Sequence, residues 1–243
     1  MIRRLRLFLS IALCATSSVV LAVDGPVIAE ASDVATGVSM STLSVLIIAG
    51  ACLLVVALLV RGSAARLGRF VGEKAGKRRI RKTLRKRSPD VIEDLLIPGA
   101  YGGLTHIDFA ALTSGGVLCI QAKYCKGIVF GSGEEPQWKN VAGVRQTKFL
   151  NPVIQNTGRT RALQKVVPEI PVANLVVFTG PASITAPKLR NVIHVRDLDS
   201  YIAKFVFGPS KVKDWDAVWL TVKSAALTDE SSRRDFRAQL SFS

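Results

Sequence analysis

The sequence predicts an α/β fold, in which a mixed central β-sheet carries helices packed on it. Short β-rich runs separated by turn formers recur between residues 94 and 131, and further β-rich runs lie near 173–179 and 192–195. A helix-forming stretch lies between these two groups of strands. This alternation is typical of α/β proteins. The 243 residues suffice for a domain of roughly 150 residues plus additional segments.

The N-terminal part of the chain predicts attachment to a membrane. Residues 1–23 combine a basic start with an apolar stretch ending in Val20-Leu21-Ala22, which fits either a cleaved signal peptide or a first transmembrane helix. Residues 24–42 then predict an exported linker. Residues 43–60 form an uncharged, mostly apolar run of 18 residues, long enough for a transmembrane helix.

The charge that follows this run predicts its orientation. Residues 61–87 carry twelve Lys or Arg against one acid, so this block holds +11 of the formal charge of +15. Lys and Arg beside a span mark its cytoplasmic side. We therefore expect residues 61–243 to lie in the cytoplasm, at a bacterial-type inner membrane. Either interpretation of residues 1–23 gives this orientation.

The basic block predicts a helix that opens the cytoplasmic domain. Apolar residues recur at helical spacing between the charges, Gly76 weakens the pattern, and Pro89 bounds it. Such a block binds phosphate, either of anionic lipid head groups or of nucleic acid. The expected apolar positions are Leu67, Phe70, Val71, Ile80 and Leu84. The expected phosphate or lipid contacts are Lys77, Arg78, Arg79, Arg81 and Lys82.

The four cysteines form neither a zinc motif nor a disulfide framework. Cys119 is expected to be a small buried hydrophobe. The sequence also lacks the Gly-x-x-x-x-Gly-Lys-Ser/Thr loop that binds nucleotide phosphates.

Polar residues meet at one end of a predicted hairpin over residues 105–123. Asp108 stands near the start of its first strand, and Gln121 and Lys123 near the end of the second. Residues two apart in a strand project to the same face. A hairpin therefore brings Gln121 and Lys123 together and close to Asp108. Such a set can hold a divalent cation against a phosphate.

The remaining pattern gives one element after another. Asn151 and Pro152 predict the start of a helix, since Asn caps helices and Pro suits their first turn. Strands are expected at 94–98, 127–131, 173–179 and 192–195. A polar loop around Trp138 is expected at 132–146, helices at 151–167, 197–207 and 212–227, and a frayed tail at 228–243.

These residues resemble the nuclease-related domain (NERD) family of the PD-(D/E)xK nuclease-like superfamily. The resemblance runs from about residue 72 to 178 and implies a NERD domain over 64–185, followed at 186–243 by a C-terminal strand, helices and polar tail. It implies a restriction-endonuclease-like fold and a metal-dependent DNA nuclease or nickase. The motifs that carry it are Gly72-Glu73, Ile107-Asp108, Gly116 to Gln121-Ala122-Lys123, Gly127-Ile128, Trp138 and Asn151-Pro152-Val153-Ile154-Gln155.

Phosphodiester hydrolysis gives each of these residues a role. Asp108 is the expected carboxylate ligand of Mg²⁺ or Mn²⁺, and Gln121 contributes a carbonyl oxygen. Glu73 is expected to supply the second carboxylate or to orient a metal-bound water. Lys123 is expected to stabilise the charge that develops on the phosphate or to hold the attacking water. Gln155 is expected to support the site through a hydrogen bond.

Two departures from the family pattern keep other functions open. Gln121 stands where the family usually has Glu, and Phe109 where it commonly has His. One alternative is a nuclease-fold domain that binds DNA or a protein partner without cutting. Another is a structural membrane protein whose basic helix binds anionic lipid. Within the site, Asp108 and Lys123 could instead form a plain ion pair, as could Glu73 with Lys77.

Overall fold

The computed structural model describes residues 42–185 and 189–241, and the expectations for residues 1–41 lie outside this range. The chain divides into two units, Met1–Cys52 and Leu53–Ser243, and the sheets and the site belong to the second. Its helices are α1 Thr42–Arg87, α2 Pro152–Val166, α3 Leu198–Phe205, α4 Trp215–Ser224 and α5 Glu230–Ser241. Its strands are β1 Val91–Pro98, β2 Leu104–Thr113, β3 Gly116–Lys123, β4 Gly127–Phe130, β5 Gln137–Ala142, β6 Arg145–Leu150, β7 Val172–Phe178, β8 Ala182–Thr185 and β9 Val192–His194.

The apolar run and the basic block form one continuous helix, α1, of 46 residues. Within the described residues it is the one helix long and apolar enough to cross a membrane, judged by length and composition. Its most apolar window has a mean hydropathy of 2.2, and none of that window is buried. The helix is therefore compatible with a membrane span, and the span itself stays a prediction.

Only the C-terminal turns of α1 pack into the domain core. Ile80 and Leu84 are buried against Phe109 and Ile120. The predicted helix is confirmed, and of its predicted apolar positions Leu67, Phe70 and Val71 are all more than half exposed.

Gly76 is needed for the close packing of α1 against Thr179. A Cβ atom at Gly76 would lie 2.4 Å from the Cβ of Thr179, and one at Gly72 would lie 2.5 Å from the ring of Tyr124. Real Cβ atoms do not approach other atoms this closely. These two glycines therefore allow α1 to lie close to the ends of β3 and β7.

The first sheet has five strands in the order β1-β2-β3-β7-β9. β1, β2 and β3 pair antiparallel, whereas β3, β7 and β9 pair parallel, so the sheet is mixed as predicted. The predicted hairpin is β2–β3, and it closes at the Thr113–Gly116 pair. Gly116 has a φ of 120°, which favours glycine there.

Helices cover both faces of this sheet. Leu163 of α2 and Trp219 of α4 are buried against Ile107 and Leu112 on one face. Ile80 of α1 and Leu198 of α3 belong to the core on the other face. The prediction of helices packed on a mixed sheet is confirmed.

A second sheet replaces the predicted loop at 132–146, which was wrong. Strands β5 and β6 pair antiparallel, and with β4 and β8 they form a mixed sheet in the order β6-β5-β4-β8. Their polar composition hides the usual strand alternation. Trp138 and Phe149, opposite each other in the pairing, join the hairpin to Phe178 of the first sheet. A single central sheet was therefore an incomplete prediction.

Two local predictions are confirmed. The Asn151 side chain accepts hydrogen bonds from the amides of Val153, at 2.9 Å, and Ile154, and so caps α2. Cys119 is fully buried, and burial raises the pKa of its thiol to about 12.

The C-terminal segment was predicted only in part. Helices α3 and α4 lie within the expected ranges, α3 being preceded by a 3₁₀ turn at Val195–Asp197. The expected frayed tail is wrong, because Glu230–Ser241 forms α5. Its Gln239 side chain bonds both the amide and the carbonyl of Leu104, at 2.9 and 3.0 Å, and Phe236 stacks on His106. These contacts tie the tail to β2.

We expect Gly76→Ala to destabilise the domain by about 1–3 kcal/mol, since the added methyl overpacks the contact with Thr179. Gly68→Ala is the matched control, because nothing lies within 4 Å of its Cβ position. There, the better helix propensity of Ala should stabilise α1 by up to about 1 kcal/mol. Denaturant unfolding of the full chain in detergent, followed by tryptophan fluorescence, measures both. Equal stabilisation by the two substitutions would contradict the close-packing role of Gly76.

Candidate metal and phosphate site

The four residues expected to act in catalysis line one cleft. Glu73 comes from α1, Asp108 from β2, and Gln121 and Lys123 from the end of β3. The cleft measures about 380 Å³ and lies where β2 and β3 separate. The lining described here is completed by Arg69, Lys77, Ala122, Tyr124 and Thr179.

The position of Asp108 follows from a break in the strand pattern. Ile107 and Phe109 are two residues apart, yet they pack into the cores on opposite faces of the sheet. The pairing of β2 with β3 starts at Phe109–Ile120. Before this point, the Asp108 carboxylate links the two strands by accepting a hydrogen bond from the Ala122 amide at 3.0 Å. Asp108 is thereby fixed in the plane of the sheet end, with 14% of its side chain exposed.

Lys77 of α1 joins two carboxylates at this sheet end. Its ammonium lies 2.8 Å from the Asp108 carboxylate and 3.2 Å from that of Asp94. Burial by itself lowers the pKa of Lys77, but the hydrogen bonds and charges of Asp108 and Asp94 outweigh it and raise the pKa. Lys77 therefore stays charged at neutral pH and compensates Asp108.

Asp94 was not expected in the site. It lies in β1 with a φ of 51°, a left-handed conformation that is uncommon outside glycine although Asp adopts it more readily than most residues. Its carboxylate also lies 3.3 Å from Nε2 of His106. Burial lowers the pKa of His106 against the opposing pull of Asp108 and Asp94, so the imidazole is neutral at pH 7. Nothing in the sequence signals the left-handed conformation of Asp94.

Gln121 brings an unsatisfied oxygen into the cleft. The residue is 6% exposed, and its Nε2 donates to Oε1 of Gln155 on α2 at 3.4 Å. Its Oε1 is buried and accepts no hydrogen bond from the described residues. A buried carbonyl without a donor is costly, so a ligand at this oxygen would be favoured.

The two plain ion pairs considered from the sequence do not form. Asp108 pairs with Lys77, while Lys123 places its ammonium 4.7 Å from the ring centroid of Phe149. Lys77 turns to the aspartates and not to Glu73. Glu73 is exposed and has no ion pair or hydrogen bond with the described residues. Its carboxylate is therefore available to a ligand.

Two of the five expected phosphate or lipid contacts are engaged within the protein. Lys77 bridges the aspartates, and Arg81 makes a two-pronged salt bridge to Glu93. Arg78, Arg79 and Lys82 are exposed and have no salt bridge with the residues described. The expectation of a phosphate contact thus stays open for these three.

The donor atoms in the cleft fit a hard divalent cation. Two carboxylates and an amide oxygen form an oxygen set of the kind that Mg²⁺ and Mn²⁺ prefer. Residues 42–185 and 189–241 contain no cluster of three or more His, Cys, Asp or Glu side chains that could hold a metal ion. A cation here would therefore depend on the orphaned oxygen of Gln121 as its third protein ligand.

Residues 69–179 match the model of the NERD family, the nuclease-related domain. This range contains Glu73, Asp108, Gln121, Lys123 and Gln155. A protein of Bacillus anthracis that is described as uncharacterized is 24% identical over 140 residues. The shared stretch covers 54% of this chain and 66% of that protein, just under two thirds of its length. No solved structure matches the chain significantly.

Lys77 supplies a pH-dependent contribution to stability. Because its folded pKa lies above the ordinary 10.5, the contribution is fully present below about pH 10.5 and is lost as the pH rises through the folded value. We expect Lys77→Met to cost about 1 kcal/mol at pH 8, a value reduced by solvent screening of a side chain that is 36% exposed.

Chemical unfolding of both proteins at pH 8 and at pH 11 measures this difference. The gap between wild type and Lys77→Met should shrink at the higher pH. Lys74→Met is the control, since Lys74 lies over the ring of Phe70 and has no salt bridge among the described residues. A gap that is independent of pH would contradict the ion-pair assignment.

Proposed function

We propose that this chain is a membrane-anchored NERD-type protein that hydrolyses DNA phosphodiester bonds with the help of a divalent cation, as a nuclease or nickase. One observation carries the proposal. One cleft is lined by the four residues that the sequence predicts for phosphodiester chemistry, which are Glu73, Asp108, Gln121 and Lys123. They lie within the range that matches the nuclease-related domain.

The cation would be held by the carboxylates of Glu73 and Asp108 and by Oε1 of Gln121. When bound, Mg²⁺ or Mn²⁺ supplies positive charge against the phosphate and lowers the pKa of a coordinated water. The buried, donor-free state of Gln121 Oε1 supports this assignment. The hydrogen bond from Gln121 Nε2 to Gln155 supports it further, because it turns the amide so that the oxygen remains free.

Two lysines have separate electrostatic roles in the cleft. Lys123 lies in the lining without a carboxylate partner among the described residues, so its ammonium is free to stabilise negative charge that develops on a phosphate. Its position over the Phe149 ring holds it there. Lys77 compensates Asp108 in the absence of other cations.

The membrane part of the proposal concerns α1. Residues 43–60 would cross a bacterial-type inner membrane and leave the domain in the cytoplasm. Supporting this are the length and composition of the helix and the basic block that follows it. The exposed Arg78, Arg79 and Lys82 would then contact anionic lipid head groups or the DNA backbone.

A second candidate function is binding of DNA or of a protein partner without cutting. The observation that favours it is the low negative charge of the cleft. Gln121 is neutral at the position where the NERD family usually has Glu, and the charge of Lys77 already offsets that of Asp108. Both features weaken attraction for a divalent cation.

The test of catalysis uses the full chain in a non-ionic detergent, incubated with supercoiled plasmid and Mg²⁺ or Mn²⁺, or with chelator. We expect metal-dependent nicking that falls on the order of 100-fold in Asp108→Ala and in Lys123→Ala. Asp216→Ala and Lys223→Ala change one exposed acid and one exposed base of α4, and should leave the rate unchanged.

Nicking that persists in chelator, or that survives both cleft substitutions, would contradict the proposed enzyme. DNA binding without nicking would favour the second candidate. In that case, Gln121→Glu distinguishes an attenuated site from an unrelated one. Cutting that appears in this variant would show that the cleft lacks only a charged ligand.

A further inference from the structure

A second groove opens beside the cleft, along the β5–β6 hairpin. It measures about 410 Å³, which is comparable to small-molecule sites. The part described here is lined by five basic side chains and no carboxylate. They are Arg69, Lys123, Lys126, Arg145 and Lys148. None of the five makes a salt bridge with the described residues, so their charge is available to a ligand.

The pairing of β5 with β6 explains how this groove arises. Opposite residues share a face of a sheet. The Trp138–Phe149 pair is packed in the core, whereas the Asn140–Thr147 and Ala142–Arg145 pairs lie further along toward the hairpin turn and line the groove. One face of the hairpin thus changes from core to an open surface that carries Arg145, whereas Lys148, paired with Lys139, alternates to the other face.

The groove and the cleft are continuous. Arg69, Lys123 and Tyr124 line both of them. If one phosphate of a nucleic-acid strand lay in the cleft, the neighbouring phosphates of that strand would therefore lie among the basic residues of the groove. The groove also includes two aromatic residues, Tyr124, whose ring lies against Gly72, and Phe149, whose ring carries the Lys123 ammonium, so a base would share these rings with those contacts.

We propose that this groove binds an unpaired nucleic-acid strand next to the phosphate in the cleft. The inference rests on the proposed function, since it assigns the path of the substrate. Basic grooves with aromatic rings are the common solution for single strands, whose bases are free to stack. A duplex keeps its bases stacked inside and offers the rings nothing. The basic surface of α1 at Arg78 and Lys82 has no aromatic ring in its lining, so it lacks this second feature.

The test measures binding without catalysis. Full chain in a non-ionic detergent, with chelator present, is titrated into a labelled oligo-dT strand at several salt concentrations, and fluorescence anisotropy gives the affinity. Each phosphate contact to a single strand contributes about 0.7 to the slope of log affinity against log salt. We expect Lys126→Ala/Arg145→Ala to reduce that slope by about 1.4 and the affinity by on the order of tenfold.

Lys211→Ala/Lys213→Ala is the matched control, because it removes the same charge from exposed positions beside the β2–β3 turn, where the Lys211 amide donates to the Ser114 carbonyl. It should leave slope and affinity near wild type. A duplex of equal length should bind more weakly than the single strand to wild type. Because chelator is present, a strand can bind the groove whether or not the cleft cuts, so the groove and the catalytic proposal can fail separately.

Three results would overturn the inference. One is equal loss of affinity in the two double variants, which would indicate unspecific attraction by net charge. Another is tighter binding of the duplex. The third is displacement of the strand from wild type by phosphatidylserine added to the micelles, which would assign the groove to lipid head groups.

Discussion

The carboxylate of Asp108 is the contact on which the arrangement of the site depends. One oxygen accepts the Ala122 amide at the point where β2 and β3 part, and the other meets Lys77 of α1 at 2.8 Å. Helix, strand end and hairpin are thereby joined through one residue. Lys77 also reaches Asp94 on β1. Two carboxylates and one ammonium so placed keep negative charge at the sheet end without leaving it unpaired.

The close approach of α1 to the sheet brings its polar residues to that point. Gly76 leaves no room for a Cβ beside Thr179, and a Cβ at Gly72 would meet the end of the Tyr124 ring, so the helix backbone lies close to both residues. Glu73 and Lys77 each follow one of these glycines and both line the cleft. A helix that carries the basic block thus also contributes one proposed metal ligand. The glycines therefore contribute to the site indirectly, because they allow the close packing that places Glu73 and Lys77 in the cleft.

The sequence was informative where chemistry and periodicity coincide. The β2–β3 hairpin, the Asn151 cap and the grouping of Asp108, Gln121 and Lys123 could be read from strand alternation and residue type. The β5–β6 hairpin could not, because its strands are polar and only Trp138 and Phe149 tie it to the core. The role of Asp94 depends on a left-handed backbone, and the docking of α5 on side-chain contacts with β2. Such features arise from tertiary structure and leave no local signal.

The most direct measurement is the binding of Mn²⁺ to the full chain by electron paramagnetic resonance, without any nucleic acid. We expect one Mn²⁺ site, abolished in Asp108→Ala and weakened at least about tenfold in Gln121→Leu, which keeps the side chain's size but removes the buried oxygen. Asp216→Ala should bind as wild type does. Binding that is unaffected by both cleft substitutions, or no binding at all, would contradict a cation site built on Asp108 and Gln121.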